Sequence, residues 1–269
     1  MDLGLEHKVA LIAGGSSGIG LAIARELAAE GAHVAIGARD PARLAAAERA
    51  VKEVALARVH TSSVDITDSA ATHRWIDEVA AEFGAVHVVV VSGGSPPTGN
   101  AARFATADYR DAIDGVLMPA VDVALTALPH LRKARWGRVI FVTSETASVP
   151  IGDLALSGVT RTAIARFAQS LAVEVGRDGV TVNVLAPSAT RTPLLERVVA
   201  QRTAAVDAEF DALGRHTAVG RIAYPDEMAA VAAFLASARS SYLTGTVQLV
   251  DGGASLLGPS WSPRPAAPA

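Results

Sequence analysis

The stretch Val9-Ala10-Leu11-Ile12-Ala13-Gly14-Gly15-Ser16-Ser17-Gly18-Ile19-Gly20 decides the fold. An apolar run with strand character ends in a glycine-rich turn, and a segment of helical period follows at once, Gly20 to Glu30, stopping at Gly31. Glycines in such a turn let the backbone bend tightly and approach a pyrophosphate, whose charge is met by free N–H groups at the helix N-terminus. A strand-to-helix turn can also need glycine for its own geometry. What surrounds this one favours binding.

Working outward, β-branched apolar runs predict strands over Val9–Ala13, His33–Ala38, Val59–Asp65, Val86–Ser92, Arg138–Ser144, Thr181–Ala186 and Thr246–Val250. Several are apolar at successive positions, as strands covered on both faces must be. Helical patterns lie between them. Asp40-Pro41 places a capping carboxylate before a proline and opens Ala42 to Val54, and Asp68 caps Ser69 to Phe83, which ends at Gly84. Further helices are predicted over Ala107–Leu131, Ser157–Gly176 and Asp226–Ala236. The alternation predicts one α/β domain over residues 1–257, a doubly wound parallel sheet with helices on both faces. Residues 190–221 read as an irregular substrate lid. Residues 258–269, rich in Pro and Ala, read as a tail, with Trp261 as a possible anchor on a neighbouring subunit.

Composition removes several functions. Of 269 residues 50% are hydrophobic, enough for one large core, and the formal net charge of −3 leaves no basic footprint for nucleic acid or an anionic membrane. The absence of cysteine excludes disulfides, thiolate catalysis and Cys-ligated metal, and the histidines show no metal-ligand spacing. No basic-then-apolar leader opens the chain, and apolar runs such as Val86 to Val91 are interrupted short of a membrane span. These features predict a soluble cytoplasmic protein with no metal, nucleic acid or membrane partner.

The second strand ends Ile36-Gly37-Ala38-Arg39-Asp40. A carboxylate at the strand end would grip both ribose hydroxyls of NAD. Ala38 stands there instead, beside the guanidinium of Arg39, which suits a 2′-phosphate and predicts NADP(H) over NAD(H). The competing reading is a solvated surface arginine. Asp40 reads as a helix cap.

These motifs resemble the short-chain dehydrogenase/reductase family over nearly the whole chain. Gly14 to Gly20 matches its Gly-x-x-x-Gly-x-Gly turn, and Val64-Asp65-Ile66 matches its adenine-contacting segment. Pro187-Ser188-Ala189-Thr190-Arg191-Thr192 resembles its Pro-Gly-x-x-x-Thr stretch beside the nicotinamide. Gly220-Arg221, Tyr242-Leu243-Thr244-Gly245 and Val250-Asp251-Gly252-Gly253 follow its C-terminal pattern. The resemblance implies a single Rossmann-like domain with seven parallel strands and a homotetramer or homodimer. It also implies that the cofactor is held by Gly14, Ser16, Ser17, Gly18, Ile19, Gly20, Arg39, Asp65, Ile66, Ser92, Gly93, Gly94, Pro187, Ser188, Ala189 and Thr192.

The same resemblance locates the chemistry and shows what is missing. The family works with Ser, a Tyr-x-x-x-Lys pair and an upstream Asn. Here Ser144 matches the serine, Ser157 stands in place of tyrosine, Arg161 in place of lysine and Val116 in place of asparagine. Tyr109, Tyr224 and Tyr242 lie elsewhere, as do Lys8, Lys52 and Lys133, so no shift of register restores the pair. Gly93-Gly94-Ser95-Pro96-Pro97 and Leu154-Ala155-Leu156-Ser157 resemble a reductase-like subgroup with Gly-Gly-Pro-Pro and Leu-Ala-Leu-Ser. Ser144, Ser157 and Arg161 are the candidate catalytic residues. Serine is a far weaker acid than phenol, and an arginine keeps its proton. The expected reaction is hydride transfer with NADP(H) to or from a carbonyl, imine or conjugated group. A non-redox isomerase, lyase or cyclase, and a silent nucleotide-binding protein, stay open. Glu145 and Asp153 read first as solvated polar residues, Ser157 equally as a helix N-cap, and His216 as a weak substrate-contact candidate.

Overall fold

A computed structural model describes residues 2–257; the proposed tail and Trp261 lie outside the described residues. Seven strands, β1 (Val9–Ala13), β2 (His33–Ala38), β3 (Val59–Ser63), β4 (Val88–Ser92), β5 (Gly137–Val142), β6 (Val180–Pro187) and β7 (Val247–Val250), form one parallel sheet. Their order is β3-β2-β1-β4-β5-β6-β7, so the chain reverses its winding between β1 and β4. In open α/β sheets the crevice at that switch point is where ligands bind.

The apolar runs are continuous because both faces of the sheet are covered. Along β1, Val9, Leu11 and Ala13 enter one core while Ala10 and Ile12 enter the other. On β4, Val89 and Val91 part in the same way from Val88 and Val90. Helices α1 (Gly18–Ala29) and α2 (Pro41–Lys52) cover one face together with α9 (Pro225–Ala236). The other face is covered by α3 (Ser69–Phe83), α5 (Met118–Ala134) and α6 (Ala155–Val175). A short α10 (Ala254–Leu257) follows β7. Asp40 caps α2 as expected, accepting from the N–H groups of Ala42 and Arg43 at 2.9 and 3.1 Å, and Asp68 caps α3 through Ala71 at 3.0 Å.

The structure corrects several boundaries. β3 ends at Ser63 rather than Asp65, β4 begins at Val88, and β5 ends at Val142, two residues before Ser144. The helix expected over Ala107–Leu131 is composite: α4 (Thr106–Ala112), a π turn (Ile113–Leu117) and α5. Pro119 has no N–H to return to the carbonyl of Gly115, and the widened turn falls there. By length and composition this 29-residue run is apolar enough to cross a membrane, contrary to the expectation that every apolar run falls short. In the structure Val123, Ala124, Ala127 and Leu131 bury its inner face, which makes it a core helix.

Residues 190–221 are not irregular. They contain α7 (Pro193–Ala200) and α8 (Val206–Gly214), closed on a small core of Ala189, Val199, Phe210, Leu213 and Ile222. Thr192 caps α7, accepting from the N–H of Leu195 at 3.2 Å, with Pro193 pre-set at the first helical position.

Candidate active site

The turn after β1 is forced by close approach. Gly14 has φ +80°, and a Cβ there would stand 1.5 Å from the carbonyl oxygen of Ser92 at the end of β4. Its N–H donates to Gly37 O at 2.8 Å, so the ends of β1, β2 and β4 meet at one glycine. Further along the turn, Gly18 has φ +56° and packs against Thr192, whose Cγ2 lies 3.2 Å from where a Cβ would be. No side chain caps α1 at Ser17, so its first-turn N–H groups have no side-chain acceptor from the cap. Gly20 sits beneath the turn, with Gly14 O 2.3 Å from its would-be Cβ, and serves the packing rather than a ligand.

Two hollows open above this turn and share Gly14, Ser17, Ser92, Gly93, Gly94 and Leu194 as walls. The outer one, about 400 Å³, runs from Ser16 past Arg39 and Arg43 to Asp65 and Ile66. The inner one, about 220 Å³, is enclosed by Gly18, Ile19, Val142, Thr143, Arg161 and Thr192. Most of the expected cofactor residues are thus brought together. Pro187, Ser188 and Ala189 line neither hollow. Pro187 pairs with Val250 in the sheet, Ser188 N–H reaches Val250 O at 3.4 Å, and Ala189 is buried in the small core beneath α7 and α8.

Arg39 is exposed, 77% of its side chain open to solvent, and stands 3.9 Å from Asp65 Oδ2. Asp40 is committed elsewhere. It caps α2 and accepts from Arg43 Nε at 2.9 Å, and these hydrogen bonds hold its carboxyl below the usual carboxylate range. The end of β2 therefore offers no free carboxylate to a ribose.

Two of the candidate catalytic residues, Ser144 and Ser157, are joined through one the sequence reading missed. Ser144 begins a short 3₁₀ turn and accepts from the N–H of Thr146 at 3.2 Å. Thr146 is 3% exposed, and its Oγ1 lies 3.1 Å from Ser157 Oγ. Ser157 is the third residue of α6, whose N-cap position is Leu154, so the N-cap reading of Ser157 is corrected. One turn on, Arg161 is buried, and its guanidinium donates to Gly93 O at 3.2 and 3.3 Å and to Gly94 O. Burial pushes its pKa down to about 10, which leaves a full cation at neutral pH. Its Nε has no partner. Val116, from the π turn, lies beneath Gly94, 3.2 Å from where a Cβ would stand. Ser144 and Ser157 are not among the lining residues of the inner hollow; their neighbours Val142, Thr143 and Arg161 are.

Two further ties shape the entrance. Gly99 N–H donates to Asp153 O at 2.6 Å and Ala155 N–H to Gly99 O at 3.3 Å, joining the loop after β4 to the segment before α6. Arg202, just after α7, reaches to within 3.8 Å of Asp153 Oδ2. Glu145 is buried beside Ser144 rather than solvated, and His216 is exposed at the end of α8, away from both hollows. Among the described residues no group of His, Asp and Glu is arranged to hold a metal ion.

Comparison with known proteins identifies relatives of the whole chain. A family model described as Enoyl-(Acyl carrier protein) reductase matches residues 13–255. The 3-oxoacyl-[acyl-carrier-protein] reductase FabG of Escherichia coli is 31% identical over 251 residues, covering 93% of this chain and 98% of its own. L-Sorbose reductase from Gluconobacter frateurii, solved with NADPH and L-sorbose, superposes with a TM-score of 0.90 at 32% identity, over 94% of this chain and 98% of its own. A short-chain type dehydrogenase/reductase from Mycobacterium ulcerans gives 0.87 at 30% identity, over 94% and 92%.

Proposed function

The chain belongs to the short-chain dehydrogenase/reductase family, and from that premise we propose that it is an NADP(H)-dependent reductase whose site is built on Ser144, Ser157 and Arg161. The observation that carries this reading is the pair of hollows at the β1/β4 switch point, continuous from Arg39 at one end to Arg161 at the other. Three features of their walls support a dinucleotide as the ligand. A Cβ built on Gly93 meets nothing within 4 Å, the start of α1 is uncapped, and Arg39 and Arg43 supply guanidinium forks where a 2′-phosphate would lie.

When bound, NADPH supplies the hydride. The chain's residues then have to orient the acceptor and manage one proton. With a carbonyl or conjugated carbonyl, Ser144 donates a hydrogen bond to the oxygen as negative charge grows on it, whereas an iminium ion takes up hydride with no proton and no such bond. Ser157, hydrogen-bonded to Thr146, passes on a proton drawn from water. Arg161 holds the Gly93–Gly94 turn and adds positive field beside the inner hollow. A serine relay is a poor general acid, and a strong one is worth roughly 10²–10⁴ in rate. The acceptors that suit it are therefore small organic groups that demand little protonation, such as iminium ions and conjugated carbonyls. Homo-oligomerisation through α5 and α6 belongs to the same reading, since Met118, Leu125, Val159 and Val173 expose apolar surface there.

The test is to titrate the protein with NADPH and NADH, following nicotinamide fluorescence, and then to screen ketones, imines and enones for NADPH oxidation. Tight NADPH and weak NADH binding, followed by oxidation with an acceptor, is the expected result. Failure to bind either dinucleotide would overturn the proposal.

A further inference from the structure

We propose that Arg197, on lid helix α7, is a phosphate ligand of the dinucleotide, binding the pyrophosphate that NADPH and NADH share and so fastening the lid to the cofactor. The inference rests on the cofactor reading above and adds a contact from the opposite wall.

The start of α7 is seated on the start of α1. Thr192 packs against Gly18, and Pro193 and Leu194 wall the inner hollow beside Gly18 and Ile19. Leu194 and Arg197 are three residues apart, on one face of the helix, and both line the outer groove with Ser16 and Ser17. Arg197 thus overlooks the glycine turn whose helix N-terminus would meet the pyrophosphate.

Charge sharpens the choice. The charged side chains lining that groove are Arg39, Asp40, Arg43, Asp65 and Arg197. Arg43 is paired with Asp40 at 2.9 Å, and Arg39 stands 3.9 Å from Asp65. Arg197 makes no ion pair or side-chain hydrogen bond among the described residues. The one carboxylate on its own helix, Glu196, is taken by Arg191 at 3.2 Å, and Arg191 also binds Asp207 at 2.8 Å. Glu196 and Asp207 are therefore spent on bracing α7 to α8 through Arg191, and the groove-lining guanidinium of Arg197 is left for a ligand. A dianionic pyrophosphate suits its planar fork, and the exposed Arg39 is the guanidinium at the 2′-phosphate end.

The experiment titrates wild type, Arg197→Gln, Arg197→Lys and Arg39→Ala with NADPH, NADH and adenosine 2′-monophosphate, which lacks the pyrophosphate. Arg197 is exposed, so its variants should fold. Arg197→Gln should weaken NADPH and NADH by the same factor, on the order of tenfold, and leave adenosine 2′-monophosphate unchanged. Arg197→Lys should recover part of the loss. Arg39→Ala should weaken NADPH and adenosine 2′-monophosphate but not NADH. Hydrogen exchange across residues 193–200 should slow when NADPH binds wild type and not when it binds Arg197→Gln. Unchanged affinity for both dinucleotides in Arg197→Gln would overturn the contact, and a loss confined to NADPH would overturn its assignment to the pyrophosphate. Wild-type protein that binds neither dinucleotide would overturn the cofactor reading itself, and this contact with it.

Discussion

Arg161 Nη2 lies 3.2 Å from the main-chain oxygen of Gly93, so the helix that carries Ser157 is fastened to the turn that walls both hollows. Replacing Arg161 with methionine keeps the bulk and leaves the carbonyls of Gly93 and Gly94 without their donor. Gly93 and Gly94 are exposed, so water takes up part of the role, and losing the hydrogen bonds from a charged donor costs about 1–3 kcal/mol. The thermal midpoint should fall by roughly 3–10 °C, and the NADPH dissociation constant should rise. Arg161→Lys should recover part of both. Calorimetry beside a fluorescence titration checks this, and an unchanged midpoint would remove the bracing role.

Ser144, Thr146 and Ser157 form a hydrogen-bonded series, and the two serines should separate in kinetics. Ser144→Ala should lower kcat by about 10²–10³, as loss of an oxyanion donor does. Ser157→Ala should lower it by roughly 10–100-fold, less than a strong general acid would. Thr146→Val should resemble Ser157→Ala. NADPH affinity should stay within about twofold in all three. Full activity in Ser157→Ala would show that the proton travels by another route.

Two glycines of the site should respond in opposite ways. Gly14→Ala places a Cβ against Ser92 O at a φ of +80°, and the protein should be destabilised or fail to fold. A Cβ on Gly93 meets nothing within 4 Å, so Gly93→Ala should melt within about 2 °C of wild type. It should nonetheless bind NADPH several-fold more weakly, because the new methyl enters the space shared by the two hollows. Equal NADPH affinity in Gly93→Ala would place the cofactor elsewhere.

Acid stability should depend on Glu227. Arg221 binds its carboxylate through two bonds of 2.7 and 2.8 Å, Tyr224 N–H adds a third, and these hold its pKa at about 2 against an ordinary 4.5. A carboxyl whose folded pKa is depressed stabilises the fold above its unfolded pKa, and that contribution disappears as pH falls from 4.5 through about 2. Glu227→Gln should melt below wild type at pH 7 and approach it at pH 3. Its exposure keeps the difference small. A constant gap between the two proteins across that range would contradict the assignment.

Much of this was legible before any coordinates. Strands such as Val88–Ser92 announce themselves because burial on both faces demands an unbroken apolar run, and Asp40-Pro41 marks a helix start by its chemistry. The lid helices escaped because they are short and pack Val199, Phe210 and Leu213 mainly on one another, away from the two main cores. Thr192-Pro193 was the signal that would have found α7. Thr146 and Arg197 belong to the site only through tertiary approach, which no local spacing encodes. The partners of Arg161 are main-chain carbonyls, and a carbonyl leaves no trace in side-chain identity.

The central claim is that hydride leaves a bound nicotinamide at a site without the tyrosine–lysine pair. The most direct measurement supplies NADPH deuterated at the transferable C4 position together with each acceptor class and follows product by mass spectrometry. One deuterium in the product per NADPH oxidised is the predicted result. Conversion of an acceptor with no deuterium gained and no NADPH consumed would contradict it, and the fold would then be serving a non-redox reaction.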